Sequence, residues 1–150
     1  MEEFWLWLAS TELAFQIGAT WWFPLLESIH VIGVALLVGP IVMADLRLLG
    51  IAGVRYEVER FVRELLPWVW TGFGMALVTG AGMFISRPDH YAANAAFQIK
   101  LVLLILAGVN AFVLHRSGYR YAEDKANVGA VSSIVFWLGI VLSGRWIGHL

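Results

Sequence analysis

The sequence predicts an all-α protein of one domain: a four-helix bundle embedded in a membrane, with a short amphipathic segment at its N-terminus lying on the membrane surface. Three observations carry this expectation. Apolar residues make up 60% of the chain and charged residues 14%, with a mean hydropathy of +0.76, whereas a soluble domain is ordinarily about half apolar and about a quarter charged. The apolar residues fall into four long runs, each close to the roughly 20 residues of helix that cross a hydrocarbon core of about 30 Å. The runs are continuous rather than alternating, which excludes a barrel and leaves helices, whose backbone groups are satisfied within one segment.

The same composition excludes several functions. A net charge of −1 with no basic run gives no surface for nucleic acid. The absence of cysteine removes disulfides, iron–sulfur clusters and thiolate metal sites. The opening "MEEFWLWLAS" lacks the basic n-region of a signal peptide, so it is expected to remain in the mature chain.

Residues 1–18 come first. Glu2, Glu3 and Glu12 interrupt them too often for a membrane span, and Trp5 and Trp7, with Trp21 and Trp22 just beyond, suit an interfacial aromatic belt. One or two short surface helices are expected, serving as an anchor or as a lid. The first span runs over 21–44, with Thr20 as N-cap and Pro24 in the opening turn. The second covers 66–85, with Pro67 in its first turn, the third 95–114 and the fourth 128–146. Gly72, Ala76 and Gly80 sit four apart in the second span, and Gly129, Gly139 and Gly144 recur along the fourth. Such rows of small residues let helices approach closely, within the bundle or between protomers.

Basic residues set the orientation. The loop after the first span holds Arg47, Arg55, Arg60 and Arg63, and the loop after the third holds Arg116, Arg120 and Lys125. The opposite side has Arg87, Lys100 and Arg145. The positive-inside rule then places both termini outside, which is the periplasm for a chain in a bacterial-type inner membrane.

Polar residues within the spans sort into two levels. At the outer level Glu27 and His30 share a face of the first span at i, i+3, and Lys100 opens the third span at similar depth. Arg145 lies near the outer end of the fourth, while Thr79 and Met83 occupy the outer half of the second. At the inner level are Asp45, Arg47, Asn110 and His115, with Thr71 and Ser132 nearby. Asp45 follows His30, and His115 follows Lys100, by fifteen residues, or roughly 22 Å of helix. Asp45 and Arg47 lie where the first span ends and are expected to form a salt-bridged rim that snorkels to water. His90 and His149 fall outside the spans and read as surface residues, open to an outward-facing metal.

Four chemistries compete for the outer level. Haem b would take His30 as axial ligand, with Lys100 and Arg145 facing the propionates and Glu27 setting local charge. Gly33, one turn from His30, would relieve crowding beside the ring. One haem cannot be ligated by both His30 and His115, whose depths differ by roughly 15 Å. Each haem would need a further ligand, an open position, or a histidine from a second protomer. Copper is the alternative metal for His30, with Met43, Met75 or Met83, although those methionines fall at different depths. A di-metal carboxylate bundle matches "ESIH" once only, where two copies and two more glutamates are required. A cofactor-free subunit would use the same charges to hold a complex together. Partners are therefore the lipid bilayer, and beyond it a second copy of the chain or a membrane redox protein.

"ESIHVIGVALLVGPIVMADLRLLG", "FQIKLVLLILAGVNAFVLH" and the closing "GRWIG" together resemble an uncharacterised bacterial family of small four-span membrane proteins, over nearly the whole chain. More distantly, the histidine of the first span and the lysine opening the third resemble two other families. One is the membrane protoporphyrinogen oxidase family, four-helix proteins associated with haem. The other is the copper-resistance D family, implicated in copper transfer across the inner membrane. The oxidase resemblance implies functional roles for His30 and Lys100, and for no other residue.

Overall fold

The computed structural model describes residues 2–116 and 123–149; Arg120, counted above among the basic loop residues, lies outside them. Among the described residues every regular element is a helix: α1 (Glu2–Ala9), α2 (Glu12–Ala19), α3 (Trp22–Leu48), α4 (Val58–Ser86), α5 (Pro88–Ala93), α6 (Ala95–Arg116) and α7 (Glu123–Trp146). Four of these, α3, α4, α6 and the Asn127–Trp146 part of α7, are long and apolar enough to cross a membrane. The protein is an all-α, multi-pass membrane bundle. Its long helices alternate in direction, so α1, α2, α5 and the chain's last residues gather at one end, the terminal end. The C-terminal ends of α3 and α6 define the other, the loop end.

Helix boundaries differ from the hydropathy boundaries, and the differences have local causes. α4 begins eight residues before position 66, so Pro67 lies inside the helix rather than in its first turn. Its extra turns are polar and carry two exposed i, i+4 pairs, Arg60–Glu64 at 3.2 Å and Arg63–Glu59 at 2.8 Å. Hydropathy marks membrane depth, whereas such pairs let a helix run on into water. Thr20 stands one residue before the N-cap position of α3, although its hydroxyl oxygen accepts from the Trp22 N–H at 3.4 Å. It ends α2, its hydroxyl donating to the Gln16 carbonyl, and Trp21 takes the N-cap position without a side-chain hydrogen bond. α3 runs past position 44 to Leu48, which brings Asp45 and Arg47 inside the helix. The short α5 lies outside the four apolar runs, and Pro88 at its start and Asp89 in its first turn are ordinary helix-opening signals.

Two antiparallel hairpins build the bundle, and glycine sets the spacing in both. α3 packs on α4 through backbone. A Cβ on Gly72 would stand 2.5 Å from the Leu37 nitrogen and 2.7 Å from the Gly33 oxygen, and one on Gly33 would stand 2.9 Å from the Met75 Cβ. In the other hairpin, side chains of α6 lie on glycines of α7. Leu114 covers Gly129 and Leu103 covers Gly139, where added Cβ atoms would come within 2.7 and 2.9 Å of leucine methyls. Asn110 adds a hydrogen bond from Nδ2 to the Gly129 carbonyl at 3.0 Å. Without a hydrophobic force to join helices in lipid, such close van der Waals fits and interhelical hydrogen bonds hold them together.

The hairpins join through α3 and α7. Leu37, Ala107, Trp137 and Ile140 form the buried core between them. Among the described side chains of α7, Ala130, Ser133, Trp137 and Ile140 are buried, spaced three and four apart like a coiled-coil seam. By contrast α4 and α6 make no close backbone approach among the described residues, although each flanks the α3–α7 pair.

Replacing Gly72 by alanine forces two backbones apart and is expected to destabilise the protein by at least the 1–3 kcal/mol or so usual for overpacking. Gly74 and Gly108 have nothing within 4 Å of an added Cβ, so alanine there is expected to be neutral or stabilising, by up to about 1 kcal/mol from helix propensity. Thermal melts of the three variants in detergent check this, and equal melting temperatures would contradict the backbone contact.

Candidate functional site at the level of His30

His30 lies one turn before Gly33, on the face of α3 that meets α4. Its ring is seated on Gly80, where an added Cβ would come within 3.2 Å of Cε1. The absence of a side chain at Gly80 is what lets an imidazole enter this contact. Nδ1 lies 2.9 Å from the Thr79 hydroxyl oxygen, and Thr79 is buried at 4% exposure.

Protons along this chain can be placed in order. The Thr79 hydroxyl donates to the Met75 carbonyl at 2.6 Å, so its oxygen accepts from His30 and Nδ1 carries the hydrogen. The Ala76 carbonyl, 3.4 Å from the same hydroxyl oxygen, also interacts with the imidazole. In the neutral ring this leaves the lone pair on Nε2. A histidine held through its other nitrogen in this way is oriented as a ligand or proton acceptor.

Lys100 is the charge nearest this ring in effect, close enough to interact with it electrostatically. Its side chain lies over Gly144 of α7, with Nζ 3.5 Å from where a Cβ would sit. No carboxylate pairs with it among the described residues. His30, Thr79, Gly80, Lys100 and Gly144 thus bring α3, α4, α6 and α7 to one level. Above them an aromatic group closes the terminal end. Phe84 of α4 stacks on Phe97 of α6 at 5.5 Å, Trp5 of α1 meets Phe84 edge-on at 5.5 Å, and Tyr91 of α5 packs against both phenylalanines. This stack bridges α4 and α6 where their backbones stay apart.

The remaining candidates are elsewhere. Glu27 is exposed, and its charge acts on Tyr91 rather than joining the His30 contacts. Arg145, although next to Gly144, is exposed and forms no hydrogen bond or ion pair among the described residues. His115 is exposed at the last turn of α6, and Asn110 turns to α7. Among the described residues no three His, Cys, Asp or Glu side chains gather closely enough to hold a metal ion.

Asp45 departs from the expected rim. It is 4% exposed, Ser133 of α7 lies near enough to its carboxyl to interact with it, and Oδ2 has no hydrogen-bond partner. Arg47 is not its ion-pair partner, since its Nε donates to the Tyr56 carbonyl at 2.8 Å. The cause is helical: Gly33, Leu37, Ile41 and Asp45 form an i+4 ridge, which turns by roughly 120° over three steps. The ridge leaves the α4 contact at Gly33 and arrives against α7 at Asp45.

Thr79 was noticed in the sequence only for its depth. A sharper signal was its spacing, since Gly72, Thr79 and Ser86 are buried seven apart, and a hydroxyl on that stripe must meet another helix.

Fold and site together define a class: a multi-pass membrane bundle with a hydrogen-bonded histidine and, inside its terminal half, a lysine that no carboxylate pairs among the described residues. Residues 4–150 match the profile of a family of unknown function, DUF6644. The chain belongs to that family. No curated protein and no solved structure matches it.

Two outcomes are expected. Thr79→Val keeps the shape but removes the acceptor, at a cost of about 1 kcal/mol in thermal stability, and nitrogen-15 spectra of the wild-type ring should show hydrogen on Nδ1; hydrogen on Nε2 alone would contradict the order of donors. At Tyr91, burial pushes the phenol above its usual value, with Arg87 opposing and Glu27 adding to the rise. The folded value exceeds the unfolded one, so this stability is complete below a pH of about 10 and declines as pH rises beyond it. Tyr91→Phe should flatten that decline in alkaline melts.

Proposed function

We propose that the protein is a membrane-embedded haem b protein that serves electron transfer or a haem-linked oxidation, with His30 as an axial ligand. The observation that carries this reading is the His30–Thr79–Met75 relay, in which Thr79 engages Nδ1 and leaves the lone pair of a neutral imidazole on Nε2. The donor chemistry fits: one neutral imidazole, an unpaired lysine at its level to face a propionate, and a lack of close backbone contact between α4 and α6. The distant resemblance to haem-associated four-helix proteins through His30 and Lys100 supports the same choice. Bound there, haem would supply one-electron oxidation and reduction at its iron. Thr79 would hold the ring's rotation and hydrogen, Lys100 would offset propionate charge, and the Phe84–Phe97 stack would keep water from the terminal end. Arg145 and Glu27 would then act from the surface, on approach of a redox partner rather than at the ring. The excess of basic residues at the loop end supports a bacterial-type inner membrane with that end in the cytoplasm and both termini outside.

The competing reading is a cofactor-free assembly subunit. It is favoured by one observation, that the His30–Thr79 hydrogen bond already fastens α3 to α4.

Purification in detergent with haem supplied, followed by reduced-minus-oxidised spectra, separates the two. The haem reading expects a stoichiometric α-band that is lost in His30→Ala, and a haem affinity lowered roughly 10–100-fold in Thr79→Val, as for the loss of a ligand's hydrogen-bond partner. A colourless wild-type chain in which His30→Ala alters only melting temperature would establish the assembly reading instead.

A further inference from the structure

The buried carboxyl at the loop end has no part in the His30 site. Asp45 and Ser133 are 4% and 6% exposed, facing one another across the α3–α7 contact. One carboxyl oxygen, Oδ2, is buried with no hydrogen-bond partner. A bare carboxylate in such a place loses far more hydration than one serine hydroxyl returns.

Something must neutralise it, and the neighbouring cations are engaged. Arg47 follows Asp45 by two residues on a different face and donates from Nε to the Tyr56 carbonyl. α4 presents Glu59 with Arg63 and Glu64 with Arg60, paired with each other on an exposed surface. α2 contributes Glu12, which lies at the terminal end and accepts from Gln16. α7 offers the neutral Ser133. Among the described residues there is also no cluster of acidic or histidine side chains for a metal ion. The smallest cation, a proton, remains.

We propose that Asp45 and Ser133 form a proton-binding site between α3 and α7, in which Asp45 is carried as the neutral acid and exchanges its proton with water at the loop end. Loading writes as a simple protonation: the carboxylate takes one proton from hydronium on that side, the hydronium O–H bond breaks as the carboxyl O–H bond forms, and neutral water is released. Access is from the loop end because Asp45 lies only three residues before the end of α3 at Leu48, about 4.5 Å of rise. Toward the terminal end, the apolar group of Leu37, Ala107, Trp137 and Ile140 separates it from His30. The site is therefore independent of whether His30 binds haem. Loss of that proton would put a charge into the α3–α7 seam and loosen it.

Infrared spectroscopy of the whole protein in bilayers tests this at neutral pH. A carbonyl-stretch band of a protonated carboxyl is expected that moves on carbon-13 labelling of aspartate and on transfer to deuterated buffer. Asp45→Asn should abolish the band and Ser133→Ala should shift it by removing the hydrogen-bond donor. If Asp45→Asn does not fold, the shift in Ser133→Ala assigns the band alone. Absence of an aspartate-dependent band in the wild-type chain, its survival in Asp45→Asn, its indifference to Ser133→Ala, or its failure to respond to deuterated buffer would each overturn the proposal.

Discussion

The contact between Gly33 and Gly72 governs the rest of this bundle. There the backbones of α3 and α4 come so near that no side chain fits between them. This approach brings His30, one turn from Gly33, onto the bare surface of Gly80 and into hydrogen-bond range of Thr79. A wider spacing would leave the imidazole without its acceptor, and a polar group in hydrocarbon without a partner is costly. Packing and polar satisfaction are thus the same constraint at this point in the chain.

A consequence follows for the other pair. α3 has committed one face to α4, and its i+4 ridge carries the remaining buried positions around to α7. The helices α6 and α7 then fasten through side chains laid over glycines, a looser arrangement than backbone on backbone. Among the described residues the backbones of α4 and α6 are left apart, and stacked aromatic rings bridge them at the terminal end. The level of His30 and Lys100 lies just inside that stack.

Membrane burial treats the charged residues in three ways. Glu59, Arg60, Arg63 and Glu64 escape into water on an extension of α4, where pairing contributes little and is not required. Lys100 extends along the helix surface over Gly144. Asp45 does neither, because the azimuth of its helix position points into the α3–α7 seam. Its depth alone suggested a snorkelling rim residue; its direction made that impossible. Depth comes from counting residues along a helix, but direction relative to a neighbour depends on which helix is packed where.

That distinction also marks how far the sequence could be read. Composition and four apolar runs determined the all-α membrane fold, because backbone groups in lipid leave no other choice for such segments. The rows at Gly72, Ala76 and Gly80, and at Gly129, Gly139 and Gly144, marked the close-packed helices, since small residues serve that end whatever the partner. The level shared by His30 and Lys100 was legible from helix rise. The tertiary structure alone decided that Thr79 holds His30, that Glu27 and Arg145 face outward, that α4 and α6 stand apart, and that Asp45 is buried against Ser133. Each of these depends on the rotation of one helix about its axis relative to another, and a one-dimensional pattern fixes a residue's depth without fixing what stands opposite it.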